Sequence, residues 1–430
     1  YHHGEASLNG AIKGLCQDFV GSNNINLFEP KGQFGTRLQG GQDSASERYI
    51  HTNLTPITRK LYVESDDAIL HYLKDDGTSV EPIYYLPIIP VILVNGCKGI
   101  GTGFSTDIQP YNPETLINYI KSYLQNETLP KLVPYYEGFK GSVVAVDDSK
   151  FLIKGSYEIL SKTEIKITEL PIGIWTDDYK SYLEKLIDPG QDAKTKKKSK
   201  SSVKDYVDMS TDTNIDITVT FANGVVSTLL AKQVEYGCNE LEKYLKLYVT
   251  RTTTNMHVFD EKEKLCKFDT AEEIVNHYIG IRLDAYSLRK NYLISKLEHE
   301  VLLASDKARF IVGVLDDTID LRKKSKTQVR ELMQKHKFTV LNDDEDYKHL
   351  VRMPMDSVTK ENVELLLKQR DDKQSILNKL KEVTPIHMWM DDLQELETAY
   401  AQYKRMRVKK QEAVFHTKTK LKVKKKKLIK

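Results

Sequence analysis

The sequence predicts a multidomain α/β chain ending in a long antiparallel coiled-coil arm. Three observations carry that expectation. The 430 residues, 40% of them hydrophobic, are enough for two or three cores. Between about 140 and 225, SVVAVDD, KFLIKGSYEIL, TEIKITEL and NIDITVTF alternate apolar and polar residues, the period of half-buried strands. From 270 the apolar residues recur in alternating steps of four and three, the period of a coiled coil.

Residues 8–20 read as a helix with Leu8, Ala11, Ile12, Leu15 and Phe19 on one face. Residues 21–49, with GSNN, KGQFGTR and QGGQD in close succession, read as a loop-heavy surface bearing polar donors and one exposed tyrosine. Residues 81–94 read as a buried apolar segment, from which NGCKGIGTGF (95–104) turns sharply. Asp192 to Lys204, with six lysines and four serine or threonine residues, reads as a flexible loop. Thr270 and Glu273 form a capping-box pattern ahead of Ile274, Tyr278, Ile281, Ala285, Leu288 and Tyr292. A second phase follows as Leu293, Leu297, Val301, Ala304, Ala308, Ile311 and Leu315, and the shift marks a break in the seam or a change of partner. A compact head at about 340–355 leads to a return helix over about 358–381, with Val363, Leu366, Leu377 and Leu380 on its stripe. Pro385 ends it, and another helix follows from Trp389.

The net charge of +3 hides a split. From Lys404 to the end there are thirteen Lys or Arg against Glu412, a net of +12, which leaves −9 for residues 1–403. That end reads as a disordered basic tail, either solvated without one target or free to meet phosphate, an acidic partner or a nuclear-import receptor. Cys16, Cys97, Cys238 and Cys266 lack metal-ligand spacing and read as reduced thiols. Pro87 to Val94 is too short to span a membrane. There is no signal peptide, and a start at Tyr1 suggests a piece of a longer protein.

Four ordered segments carry a family likeness: YHHGEASL (1–8), DFVGSNNINL (18–27), GQFGTRLQGGQDSASERYIHT (32–52) and YYLPIIPVILVNGCKGIGTGFST (84–106). They resemble the DNA breakage-reunion core of type IIA DNA topoisomerases of the eukaryotic and large-DNA-virus kind. Looser likeness continues through ELPIGIWTDDYK (169–180), KLYVTRTTTNM (246–256) and TPIHMWMDDL (384–393). The resemblance implies a winged-helix DNA-binding domain over 1–90, entered midway, and an α/β tower with a DNA-bending wedge over 91–255. It further implies a coiled-coil arm and dimer gate over 256–403, ahead of the basic tail 404–430. The brief head and short lysine run suit a compact viral or protist enzyme.

It assigns Tyr49 as the nucleophile that attacks a DNA phosphodiester, leaving a 5′-phosphotyrosyl link and a free 3′ hydroxyl. A phenol, with a pKa of about 10, needs a nearby cation or base before it attacks. It also leaves more readily than an alkyl alcohol, so the link conserves the phosphodiester and can be reversed. Arg48 is implied to stabilise charge on the transferring phosphate, a task suited to a guanidinium fork. His3 is implied either to activate the tyrosine or to position DNA. Tyr1 and Ser7 match DNA-backbone contacts, and Arg37 and Lys98 read as added phosphate contacts. Ile100 is implied to wedge between base pairs, against the alternative of a small-core residue. Trp175 is implied to touch DNA farther out, against the alternative of a packed platform. Lys243, Lys246 and Arg251 match a further DNA-contacting strip, against the alternative of solvated surface charge.

The implied cofactors are Mg2+, held by a Glu and an Asp-x-Asp of a preceding domain, and ATP, held by an N-terminal domain. Neither is expected to find ligands in this chain. The acidic pairs at 66–67, 147–148, 177–178, 316–317 and 391–392 read as loop or helix-surface acids. The loop Gly96 to Gly103 lacks the order of a nucleotide cradle. The implied partners are double-stranded DNA and a second copy through the coiled-coil gate, with no membrane, in the nucleus or a cytoplasmic viral replication site. ATP-dependent double-strand passage is the implied activity, and the fragment alone is expected to be inactive. Three other readings stand beside it: a non-catalytic DNA-bending scaffold of this architecture, a separate gyrase-A-like subunit, and a coiled-coil interaction protein that would leave the first 110 residues unexplained.

Overall fold

The computed structural model describes residues 3–188, 201–340, 344 and 346–428, with backbone alone at 355 and 411–428. Tyr1, and the stretch 189–200 that makes up most of the expected lysine loop, lie outside the described residues. The chain divides into two compact units, one of residues 1–64, 81–282 and 390–430, the other of 65–80 and 283–389. Both boundaries expected at 90 and 255 fall inside the first unit.

The first unit is mixed α/β. Its opening helix spans Glu5–Cys16 and stops where Gln17 turns to extended backbone. The face expected to pack does so only in part. Leu8, Ala11 and Leu15 are exposed, while Cys16 and the following Phe19 are buried. The alternating segments form two antiparallel sheets. One orders Ser156–Ile159, Glu164–Glu169, Ile217–Phe221 and Val203–Asp208; the other orders Tyr248–Thr252, Lys150–Lys154 and Ser142–Ala145. In the first sheet Ile165, Ile167, Ile217, Val219 and Phe221 point to one face and pack on Tyr179 and Leu183 of the helix Thr176–Ile187. Period-2 burial is what the alternation demands.

Residues 18–26 have neither helix nor strand to satisfy their backbone, and side chains take over. Asn24 is buried, and its Nδ2 lies 2.9, 3.0 and 3.1 Å from the carbonyls of Val94, Tyr135 and Tyr111. Its Oδ1 accepts from the Glu137 N–H at 2.8 Å. Asn95 bonds both backbone groups of Ile25, at 3.0 and 2.9 Å. Arg407, also buried, donates to the carbonyls of Asn23, Asn24 and Asp18 at 3.1, 3.0 and 2.5 Å, and to Tyr403 Oη at 3.1 Å. Lys404 pairs with Glu114 at 3.2 Å and Lys410 with Glu29 at 3.0 Å. The helix that carries them spans Pro385–Leu428. The stretch expected as a disordered tail is therefore helical through Leu428, since no Pro or Gly follows Pro385 to stop it.

In the second unit the long helix Ala271–Leu315, whose first residues belong to the first unit, continues from Leu283. Thr270 Oγ1 accepts from the Glu273 N–H at 3.2 Å, while the Glu273 carboxylate reaches Asp269 rather than Thr270, at 2.9 Å. The expected stripe holds in part: Ile274 and Ala285 are buried, Tyr278 and Ile281 are half-buried, and Leu288 and Tyr292 are exposed. The buried face also takes in Ala271, Val275, Ile279, Arg282, Tyr286 and Arg289. Buried arginines defeat a stripe drawn from apolar residues alone. Arg289 stacks over Tyr286 and pairs with buried Asp66 at 3.5 Å, so Asp66 is not the surface acid it was expected to be. Trp389 stacks on Tyr286 as well, with the two rings 5.6 Å apart.

The head begins earlier than expected, directly after Leu315, and has its own core of Phe310, Ile319, Met333, Phe338, Tyr347 and Leu350. It contains a helix, Lys326–Lys335, opened by a capping box between Ser325 and Gln328. The return helix spans Lys360–Glu382. Pro385 opens the next helix at its first position, where its missing N–H costs nothing, and Thr384 caps it by accepting from the His387 N–H at 3.2 Å. Among the described residues no helix is long and apolar enough to cross a membrane.

Replacing Asn24 by Ala strands several buried carbonyls and one N–H. Asn24→Ala is expected to destabilise the first unit by about 2–3 kcal/mol, read as faster hydrogen exchange at the Ile25 and Glu137 amides.

Candidate functional site

Tyr49 closes a short 3₁₀ turn, Glu47–Tyr49, in which its N–H donates to the Ser46 carbonyl at 3.0 Å. Ser46 to Tyr49 are all exposed, and Tyr49 is 67% accessible. The Arg48 guanidinium lies over its ring, 4.9 Å from the centroid. A tyrosine packed at a strand end would be covered; this one is presented with a cation on its face. Downstream, His51 and Lys31 exchange backbone bonds at 3.0 and 3.1 Å. Upstream, the Ala45 N–H donates to the Gln33 carbonyl at 2.9 Å. Glu47 pairs with Lys13 of the first helix at 2.7 Å, which holds the Glu47 carboxyl below the usual carboxylate range. His3 and Ser7 are exposed at the start of that helix. Helix and tyrosine turn are thus tied together by one ion pair.

The loop before the turn folds on itself because its glycines permit it. Gly35 sits at φ +104°, and a side chain there would meet the Gly41 backbone at 2.5 Å. Gly40, at φ +62°, lies so close to Trp175 that a Cβ would stand 2.3 Å from the indole. Trp175 is half-buried and meets Phe19 edge-on at 5.7 Å. Trp175 thus packs on Phe19 and the Gly40 backbone while part of its surface stays accessible. Half-buried Arg251 reaches the turn leading into Trp175, its Nη2 2.9 Å from where a Cβ at Gly173 would stand.

Arg37 is a correction. It was expected as a phosphate contact, but it is buried and bonds Glu169 at 2.5 Å. Glu169 also accepts from the N–H groups of Leu170 and Lys140, at 2.9 and 3.1 Å. The guanidinium is committed to an internal pair.

Ile100 sits near the tip of the hairpin Cys97–Gly101 and Phe104–Ile108, 93% exposed. The small-core alternative is thereby overturned. Asn255 and His257 support the hairpin, the first bonding Ser105 Oγ at 2.8 Å and the second the Ser105 carbonyl at 3.1 Å. Phe104 packs edge-on against Phe259 at 5.8 Å. Lys98 is largely exposed, 3.9 Å from Asp107 across the hairpin. Lys243 and Lys246 are exposed, and Lys246 lies over the Tyr182 ring at 4.0 Å.

Among the described residues no group of three or more His, Cys, Asp or Glu is placed to hold a metal ion. Near the tyrosine, Glu47 is occupied by Lys13, and Asp43 accepts from Thr36 N and Oγ1 at 2.8 and 2.6 Å. These carboxylates do not fit a metal-ligand set. Sequence reasoning missed Lys13–Glu47, Asn24 and Arg407, since neither their types nor their spacing marks them.

Residues 1–394 match the family of the A-type subunits of DNA gyrase and topoisomerase IV. The chain belongs to the type IIA DNA topoisomerases. It is 36% identical to "DNA topoisomerase 2" of Acanthamoeba polyphaga mimivirus over 93% of this chain and 36% of that protein. It is 38% identical to "DNA topoisomerase 2" of Arabidopsis thaliana over 92% of this chain and 29% of that protein. The topoisomerase chain thus spans about a third of the length of these curated relatives. Its mixed α/β fold matches the crystal structure of the Plasmodium falciparum topoisomerase II DNA-binding, cleavage and re-ligation domain. That match has a TM-score of 0.83 at 38% identity, over 94% of this chain and 56% of that one.

Within this topoisomerase region, Arg37→Met is expected to leave Glu169 buried without its partner. The first unit should lose about 3–5 kcal/mol, read by thermal unfolding.

Proposed function

We propose that this chain carries the nucleophile, the DNA wedge and the lower gate of an ATP-dependent type IIA topoisomerase that passes one duplex through a transient break in another. The observation that carries the reading is the exposed Tyr49 with the Arg48 guanidinium against its ring, on a turn held from both sides. In the proposed step the Tyr49 phenol gives up its proton as Oη attacks the phosphorus, and the phosphorus–O3′ bond breaks. The 5′ end stays on the tyrosine and the 3′ oxygen takes up a proton. Arg48 steadies the phosphate charge, and His3 activates the phenol or positions the backbone beside Ser7 and Tyr1. Religation reverses the step.

Ile100 unstacks one base step, and Lys98, Trp175, Lys243, Lys246 and Arg251 follow the bent duplex outward. The 93% exposure of an isoleucine on a propped, glycine-flanked hairpin supports the wedge, since such an apolar tip otherwise only costs solvation. We assign a winged-helix domain to 1–90, a tower to 91–255 and a coiled-coil gate to 256–403. A second copy supplies a second Tyr49 for the opposite strand. Magnesium and ATP are supplied by regions outside this chain, and the protein works in the nucleus or at a cytoplasmic viral replication site.

With the magnesium-binding region supplied in trans, detergent quenching on supercoiled plasmid is expected to yield linear DNA bearing protein at its 5′ ends. Tyr49→Phe should abolish the adduct and keep DNA binding. Ile100→Ala should lower the bend, read by energy transfer between the ends of a labelled duplex. Bending without any adduct, from folded dimeric protein, would leave the scaffold reading in its place.

A further inference from the structure

The turn that presents Tyr49 has backbone anchors on both flanks, at Ala45 and at His51. Between them, Ser46 to Tyr49 are exposed. Glu47 gives this stretch a side-chain tie to another element, through Lys13 Nζ at 2.7 Å. Lys13 is a firm anchor. It lies in the last turn of Glu5–Cys16, next to Gly14, whose carbonyl accepts from Asn23 Nδ2 at 2.7 Å. Leu15 accepts from the Phe28 N–H at 3.4 Å, and Cys16 Sγ lies 3.4 Å from Thr52 Oγ1. The helix end is therefore held on both sides of the loop it supports.

Charge makes the pair more than a brace. Glu47 places a carboxylate two residues from the phenol, where the reaction must bring a phosphate. Left alone, that carboxylate would repel the DNA and oppose formation of a phenolate. Lys13 compensates it. Glu47 is half exposed, with 48% of its side chain accessible, so water screens the pair until DNA covers the turn. Excluding that water strengthens both the attraction within the pair and the repulsion that follows if it is broken.

We propose that Lys13 and Glu47 form a positioning pair for Tyr49, setting the turn against the helix that carries Ser7 and neutralising the acid beside the nucleophile. The pair touches no reacting atom and acts through the turn. This inference rests on the reading of Tyr49 as the nucleophile.

A charge-swap cycle tests it in the enzyme with its magnesium-binding region in place, reading the rate of adduct formation at saturating DNA and, separately, DNA affinity. Lys13→Glu and Glu47→Lys are each expected to slow adduct formation by about tenfold, and the double swap to recover most of that loss. The neutral variants Lys13→Met and Glu47→Gln cover the case in which a reversal fails to fold. Lys13→Met, which leaves the acid bare, should be slower than Glu47→Gln, with thermal unfolding unchanged in both. Parent-like rates in all single variants, a double swap no faster than the slower single, or rate losses that track thermal unfolding would overturn the proposal. A parent enzyme that forms no adduct would instead sink the nucleophile assignment, which separates the two failures.

Discussion

The rest of the first unit depends on how the carbonyls of residues 18–26 are satisfied. This segment is buried in places yet forms neither helix nor sheet, so its backbone groups have no ladder to join. Arg407 donates to three of its carbonyls, Asn95 bonds Ile25 on both sides, and Asn24 holds three distant carbonyls and one N–H. Arg407 meets no carboxylate at hydrogen-bond distance among these contacts. Planar donors distributed over carbonyls suit a guanidinium better than an ammonium. Asp18 stands close by, and burial pushes its carboxyl up while Arg407 and Lys410 pull it back.

A segment fixed in this way carries the loop that follows it, which is also tied internally through Thr36–Asp43 and Ala45–Gln33. Gln17 Nε2 donates to the Phe34 carbonyl at 3.2 Å, and Gly35, Gly40 and Gly41 take conformations that let the loop close on itself and on Trp175. The result is a rigid frame around a presented side chain. Covalent chemistry needs that combination, because a nucleophile must be accessible to a large substrate yet lose little freedom when it arrives. The Ile100 hairpin follows the same plan with different means, its exposed tip propped by Asn255, His257 and Phe259.

The parts legible in the sequence are those where local pattern and local structure coincide. The strands of 142–169 and 217–221 alternate and are found where they alternate. The exposed tyrosine and the glycine-flanked Ile100 stand in ordered motifs. What escapes is long-range pairing. Nothing near Arg37 announces Glu169, and only that pair turns a surface cation into an internal one. A coiled-coil stripe drawn from apolar residues ignores Arg282 and Arg289, through which the buried face runs. Charge alone hides the role of the lysine-rich end, where Arg407 is a core residue. The helix Lys326–Lys335 is there to read, with Val329, Leu332 and Met333 at the spacing of one helical face and a capping box in Ser325 and Gln328, but its short stripe is easily passed over between the two long helices.

The most direct test of the central claim is to find which residue holds the DNA. Adduct would be trapped, the DNA digested to a nucleotide stub, and the modified peptide sequenced by mass spectrometry. If Tyr49 is the nucleophile, the stub sits on Tyr49 through a 5′ phosphate and on no other tyrosine. A stub on another exposed tyrosine such as Tyr84 or Tyr85, or linkage through a 3′ phosphate, would contradict it.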